Sequence, residues 1–151
     1  MDAAKVVITR SPEETVELAD RVVRCLDAGD FIALSGDLGS GKTMFVKGLA
    51  RGLGVMEYSY VNSPSFVIMK EYAGEKPLYH FDVYRLSPES FSETLDHERY
   101  FYGGGITVVE WADKIRDILP ERYLEVRIEY GSGEEERRFT FRAVGGGFGE
   151  I

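Results

Sequence analysis

The chain has 151 residues, with 26 acidic against 18 basic side chains and a formal net charge of −8. That length suits one domain, 1–151, able to bury a substantial core. The acidic balance counts against a general nucleic-acid or membrane-surface binder, which needs a positive field to meet phosphates. The single cysteine, Cys25, excludes an internal disulfide, and with only two histidines no metal cluster of recognisable spacing arises. No apolar run approaches the roughly 20 residues that span a bilayer, and the start lacks a signal peptide's apolar stretch. The cytoplasm is the expected location.

Lys5-Val6-Val7-Ile8-Thr9 reads as a strand. Ser11-Pro12-Glu13-Glu14 then announces a helix, with Ser11 as cap, Pro12 at the first helical position and Glu14 closing a capping box. Val16, Ala19, Val22, Val23 and Leu26 form its buried face, and Cys25 is expected to join that face as a core residue. Thr15 lies one turn before Ala19; it is read either as a half-buried surface residue or as a ligand contact. Next, the apolar run Phe31-Ile32-Ala33-Leu34-Ser35 meets Gly36-Asp37-Leu38-Gly39-Ser40-Gly41-Lys42-Thr43, which fills the template G-x-x-x-x-G-K-[ST]. Phe45, Val46, Leu49, Ala50 and Leu53 follow at helical spacing and Gly54 marks the stop.

Strand, loop and helix thus arrive in the order that a phosphate-wrapping loop requires. Gly36, Gly39 and Gly41 let the backbone approach an anion without a Cβ in the way. The loop's successive N–H groups then face that anion, helped by the positive end of the following helix. Lys42 sets an ammonium against the outer phosphates, and Thr43 offers a hydroxyl to Mg²⁺. The bland alternative is a glycine-rich turn with a capping threonine and a solvated lysine.

Val61-Asn62-Ser63-Pro64-Ser65-Phe66 reads as an extended loop whose serines either reach a nucleotide or satisfy local backbone. Residues 65–72 and 78–85 look like an antiparallel hairpin, with Tyr79, Phe81 and Val83 on one face and His80, Asp82 and Tyr84 on the other. Asp82 either serves Mg²⁺ or a hydroxyl, or is a solvated strand carboxylate. Ser87-Pro88-Glu89 predicts a short helix reaching about His97. After Gly103-Gly104-Gly105, the buried strand Ile106-Thr107-Val108-Val109 ends in Glu110. Ligands of open α/β sheets sit beyond the carboxyl ends of strands, so Glu110 is the natural second Mg²⁺ or water-activating group. A helix cap is its alternative role. Trp111 is open between packing and stacking. A second hairpin, 124–130 and 137–144, turns around the acidic run Glu134 to Glu136, and 145–151 reads as a frayed end.

Four stretches now stand in order: the loop 36–43, Ser63-Pro64-Ser65-Phe66, His80-Phe81-Asp82-Val83-Tyr84-Arg85-Leu86, and Val109-Glu110-Trp111. Together they make the chain resemble the bacterial TsaE family, also called YjeE, over nearly its whole length. The resemblance implies a P-loop NTPase fold: α/β, with a mostly parallel central sheet flanked by helices and antiparallel hairpin additions. It implies a weakly active, Mg²⁺-dependent ATPase that docks on a TsaB–TsaD heterodimer and supports N6-threonylcarbamoyladenosine formation on tRNA, which it meets only indirectly. On this resemblance Lys42 holds phosphates, Thr43 and Glu110 serve Mg²⁺, and Asp82 acts in hydrolysis or coupling. Trp111 lies beside the site, and the segment from Ser11 to Thr15 lies near the adenine. The family usually carries threonine where this chain has Ser65, which keeps the hydroxyl and drops a methyl.

Two rival readings fit the loop alone. A small-molecule kinase would need an acceptor pocket and a mobile, arginine-bearing lid, positions that this chain gives to hairpins. A nucleotide-sensing module would bind without needing hydrolysis.

Overall fold

The computed structural model describes residues 4–37, 40–61, 69–84 and 97–148. Seven strands form one sheet in the order β1-β7-β6-β2-β5-β4-β3. They are β1 (Lys5–Thr9), β2 (Phe31–Gly36), β3 (Met69–Tyr72), β4 (Leu78–Asp82), β5 (Ile106–Glu110), β6 (Tyr123–Tyr130) and β7 (Arg137–Val144). The helices are α1 (Pro12–Arg24), α2 (Lys42–Gly52) and α3 (His97–Phe101), with short 3-10 segments at Tyr58–Tyr60 and Ala112–Ile118.

The four central strands, β6, β2, β5 and β4, run parallel, whereas β1–β7, β7–β6 and β3–β4 are antiparallel pairs. Three pairs of each kind make the sheet mixed: a parallel centre with antiparallel additions on both sides. Two of the antiparallel pairs are the hairpins β3–β4 and β6–β7, and the third joins β1 to β7. Residues of β2 are apolar without alternation because both faces of a central parallel strand are covered. Ile32 and Leu34 join α1 and α2 in one core, and Phe31 and Ala33 join Phe81, Phe101, Val109 and Ile115 in the other.

α1 starts as its sequence demands: Glu14 N–H donates to Ser11 Oγ at 3.1 Å and Pro12 fills the first turn. The Glu14 carboxylate returns to the backbone N–H of Arg10 at 2.7 Å, one residue before the cap. Asp20 ties α1 to α2 by accepting from Arg24 and Arg51 at 2.5 and 2.7 Å. The helices approach closely because Gly48 and Gly52 carry no side chain. A Cβ on Gly48 would stand 2.5 Å from Ala19 Cβ and closer still to the Val16 carbonyl oxygen.

Other expectations change. Cys25 is the C-cap of α1 and only partly buried, its Sγ donating to the Arg21 carbonyl at 3.5 Å. It lies just past the helical turns whose periodicity assigned it to the core. The strand foreseen from residue 65 is described only over Met69–Tyr72, and the one foreseen to residue 85 ends at Asp82. The helix expected from Ser87-Pro88-Glu89 to about His97 falls on residues outside the described set, as do Ser63 to Phe66; His97–Phe101 is helical. At the tail, the Arg122 guanidinium donates to the Gly147 carbonyl at 2.6 Å and stacks 3.9 Å over the Phe148 ring. Residues 149–151 lie outside the described set. No helix among the described residues is long and apolar enough to cross a membrane.

Gly48→Ala tests the interhelical contact. On an open helix this change stabilises by roughly 0.5–1 kcal/mol. Here the crowding reverses the sign, and chemical denaturation is expected to show a loss of about 1–3 kcal/mol. Unchanged or raised stability would mean that α1 and α2 are not packed this tightly.

Candidate functional site

Register assembles the site. Leu34 of β2 is the Cα partner of Glu110 on β5, and Glu110 is the partner of Asp82 on β4. The two carboxylates therefore stand side by side at the carboxyl ends of parallel strands, on the sheet face that also carries α2. β2 runs directly into the glycine-rich loop at the same edge, so the first residue of α2, Lys42, enters between strand ends and helix.

Lys42 is buried, with 6% of its surface exposed. Its Nζ donates to the Gly36 carbonyl at 2.5 Å and the Asp37 carbonyl at 3.0 Å, and lies 4.5 Å from the Trp111 ring centroid. Burial pushes its pKa below the ordinary lysine value; the charges of Glu110, Asp82 and Asp37, in that order, oppose the shift. The lysine thus lies within the field of both strand-end carboxylates, while its hydrogen bonds go to the loop's own backbone.

The loop is tight where the template has glycine. A Cβ on Gly36 would stand 2.6 Å from Ser40 Oγ and 2.8 Å from the Ile128 carbonyl oxygen. Gly41 caps α2 at φ 109°, a left-handed conformation that favours glycine. Ser40 is buried and its Oγ has no hydrogen-bond partner. From the start of β7, at the same end of the sheet, Arg137 Nε donates to the Ser40 carbonyl at 3.0 Å, an anchor that sequence reasoning missed because 97 positions separate the two. Leu38 and Gly39 lie outside the described residues, and Thr43 follows Lys42 in the first turn of α2.

Trp111 is the one non-glycine residue with positive φ among those described, at φ 62° and ψ 35°. Its N–H donates to the Leu34 carbonyl at 3.0 Å, and its ring packs on Tyr84 with centroids 4.7 Å apart. A bulky residue held left-handed is strained, and such strain clusters at functional sites. Asp82 is half-buried and accepts from the Tyr84 N–H at 2.9 Å, turning the chain as it leaves the sheet. Glu110 is 3% exposed and hydrogen-bonded to His80, which was placed on the Asp82 face but given no role. That shared strand face was the available signal.

Ser11 and Thr15 sit at the same edge of the sheet, beyond β1, on the opposite side of the loop from Asp82. Both hydroxyls are engaged: Ser11 caps α1, and Thr15 Oγ1 is 2.8 Å from Thr9 Oγ1. On the other sheet face a cleft of about 370 Å³ runs beside Ser35, Gly36, Asp37 and Trp111, with Arg116 and Arg127 in its walls. Among the described residues, no group of three or more His, Cys, Asp or Glu side chains could hold a metal ion unaided.

Fold and site define a mixed α/β protein that sets a lysine-bearing glycine loop against paired carboxylates. The TsaE model, threonylcarbamoyl adenosine biosynthesis protein TsaE, matches residues 9–139. A TsaE of Bacillus subtilis is 48% identical over 138 residues, covering 91% of this chain and 84% of the relative. One of Aquifex aeolicus is 39% identical over 137 residues, covering 85% and 98%. A crystal structure of Bacillus subtilis YdiB superposes with a TM-score of 0.79 at 40% identity, covering 96% of this chain and 88% of that one. The chain belongs to the TsaE family of tRNA threonylcarbamoyladenosine biosynthesis proteins.

The electrostatics of Lys42 give a direct test. Glu110→Gln removes the largest of the three charges that oppose the burial effect. The Lys42 pKa is expected to fall further below its ordinary value, followed by side-chain NMR titration of the ammonium group. A pKa that stays or rises would show that Glu110 does not act on the lysine.

Proposed function

We propose that this chain is the ATP-binding, slowly hydrolysing subunit of its pathway, working in the cytoplasm and docking on a TsaB–TsaD complex. One observation carries the reading: a buried lysine at the start of α2 lies in the combined field of two carboxylates on adjacent parallel strands. A polyphosphate is the ligand that such a lysine suits, because it brings the negative charge that the buried ammonium lacks as a bonded partner.

The residues present fit Mg²⁺ with ATP. Gly36 leaves a cradle that a Cβ would fill, and Ser40 Oγ is a buried polar atom without a partner. Thr43, Asp82 and Glu110 supply the hard oxygen donors that Mg²⁺ takes. Mg²⁺ in nucleotide sites is held by one or two carboxylates, phosphates and water. Bound there, the ion would neutralise charge between the outer phosphates. Lys42 would turn from the Gly36 and Asp37 carbonyls to the phosphates, and the loop N–H groups from Asp37 to Thr43 would line them. Asp82 or Glu110 would orient the attacking water. Trp111, packed on Lys42, would shield it from solvent.

Partner activation fits the way Arg137 is held: it reaches the loop, but is engaged with the carbonyls of Ser40, Glu134 and Glu136. An arginine supplied in trans is worth about a thousandfold or more in phosphoryl transfer. The acidic surface suits a subunit that meets protein and reaches tRNA only through it.

Calorimetry and phosphate release test the reading together. Lys42→Ala is expected to weaken Mg-ATP binding roughly 10- to 100-fold. Glu110→Gln is expected to keep ATP binding in the absence of Mg²⁺, to weaken the part of the affinity that Mg²⁺ adds, and to lower hydrolysis on the order of a hundredfold or more. Turnover in the wild type is expected to rise when TsaB–TsaD is added. No heat with Mg-ATP would end the nucleotide reading, and equal rates with and without the partner would end the docking one. A phosphorylated metabolite in place of free phosphate would favour a kinase.

A further inference from the structure

Building on the reading just given, we infer that His80 is a positioning residue for Glu110, holding its carboxylate in the one orientation that serves Mg²⁺ and keeps it off Lys42. His80 is fully buried, with 0% exposure, and its Nε2 is hydrogen-bonded to Glu110 Oε2. Its other ring nitrogen, Nδ1, is buried without a partner. The two side chains lie on one face of adjacent parallel strands, His80 opposite Val108 and Asp82 opposite Glu110, so the imidazole reaches Glu110 diagonally.

The surroundings select the tautomer. A neutral imidazole has one N–H. With the proton on Nε2, it donates to the carboxylate and leaves Nδ1 a bare lone pair. With the proton on Nδ1, a buried donor is left unsatisfied and a nitrogen lone pair faces carboxylate oxygen. The second arrangement suffers two penalties that the first avoids, so the geometry favours Nε2–H.

This bond occupies Oε2 and leaves Oε1 as the carboxylate oxygen that His80 does not hold. It also explains why Lys42 and Glu110, buried together, are not hydrogen-bonded: both bonds of the ammonium go to the Gly36 and Asp37 carbonyls. Freed from His80, the carboxylate would be able to close on Lys42 and tie up the cation that phosphates need. Hydrogen-bonded partners of metal-ligating side chains act in this way, and their loss costs roughly 10- to 100-fold in metal affinity or activity.

Two measurements decide the matter. Long-range ¹⁵N correlation spectra of the nucleotide-free protein are expected to show His80 as the Nε2–H tautomer; an Nδ1–H tautomer overturns the inference. Calorimetry then compares ATP affinity in Mg²⁺ with that in EDTA for the wild type, His80→Leu and His80→Gln. The tightening due to Mg²⁺ is expected to shrink about 10- to 100-fold in His80→Leu. Affinity in EDTA falls as well, because the freed carboxylate competes with phosphate for Lys42, and His80→Gln, whose amide N–H can still donate, recovers most of both effects. If His80→Leu does not fold, His80→Asn takes its place, its shorter amide falling short of Oε2. A Mg²⁺ effect equal to the wild type's in the non-donating variant overturns the inference. Absence of any Mg²⁺ effect in the wild type instead overturns the metal-nucleotide reading, and the spectra still judge the His80–Glu110 bond.

Discussion

Parallel pairing of β2, β5 and β4 is the constraint on which the site depends. It sets Leu34 beside Glu110 and Glu110 beside Asp82. A slip of one residue in either pairing would turn a carboxylate to the opposite sheet face, away from α2. Strand register, rather than any loop, thus decides that two acidic groups separated by many residues in sequence share one field with Lys42. The strands can hold that register because both their faces are buried in separate apolar clusters.

The same edge gathers several of the buried polar residues, Ser40, Lys42, His80 and Glu110 among them. Lys42, His80 and Glu110 are buried, and each is accounted for by a neighbour: backbone carbonyls for the lysine, an imidazole for the glutamate. Buried charge and a left-handed tryptophan both cost stability, and the packing of α1 on α2 around Gly48 and Gly52 helps to offset that cost elsewhere. Arg137 and Arg122, at opposite ends of the β6–β7 pair, act in a related way. One fastens the loop through Ser40 and the other fastens the chain's last described residues.

Membership of the TsaE family and the seven-stranded mixed sheet are consistent with each other, since the structural likeness to YdiB extends over 96% of the chain. What the family name states is a place in threonylcarbamoyladenosine biosynthesis. The chemistry proposed for that place comes from the lysine, the loop and the two carboxylates.

Local patterns determined a good deal. The cap at Ser11, the buried face of α1, the helix after the loop and the strand ending in Glu110 were all legible, because each is set by propensity and periodicity within a dozen residues. Cys25 was misread for the same reason, since helical periodicity runs on past the point where capping stops the helix. Strand order, the even split of parallel and antiparallel pairs, and the bonds from His80 to Glu110 and from Arg137 to Ser40 were decided only in three dimensions. Those contacts join residues 30 and 97 positions apart, and no local preference chooses such partners. They follow from which strands lie side by side once the apolar faces have been buried.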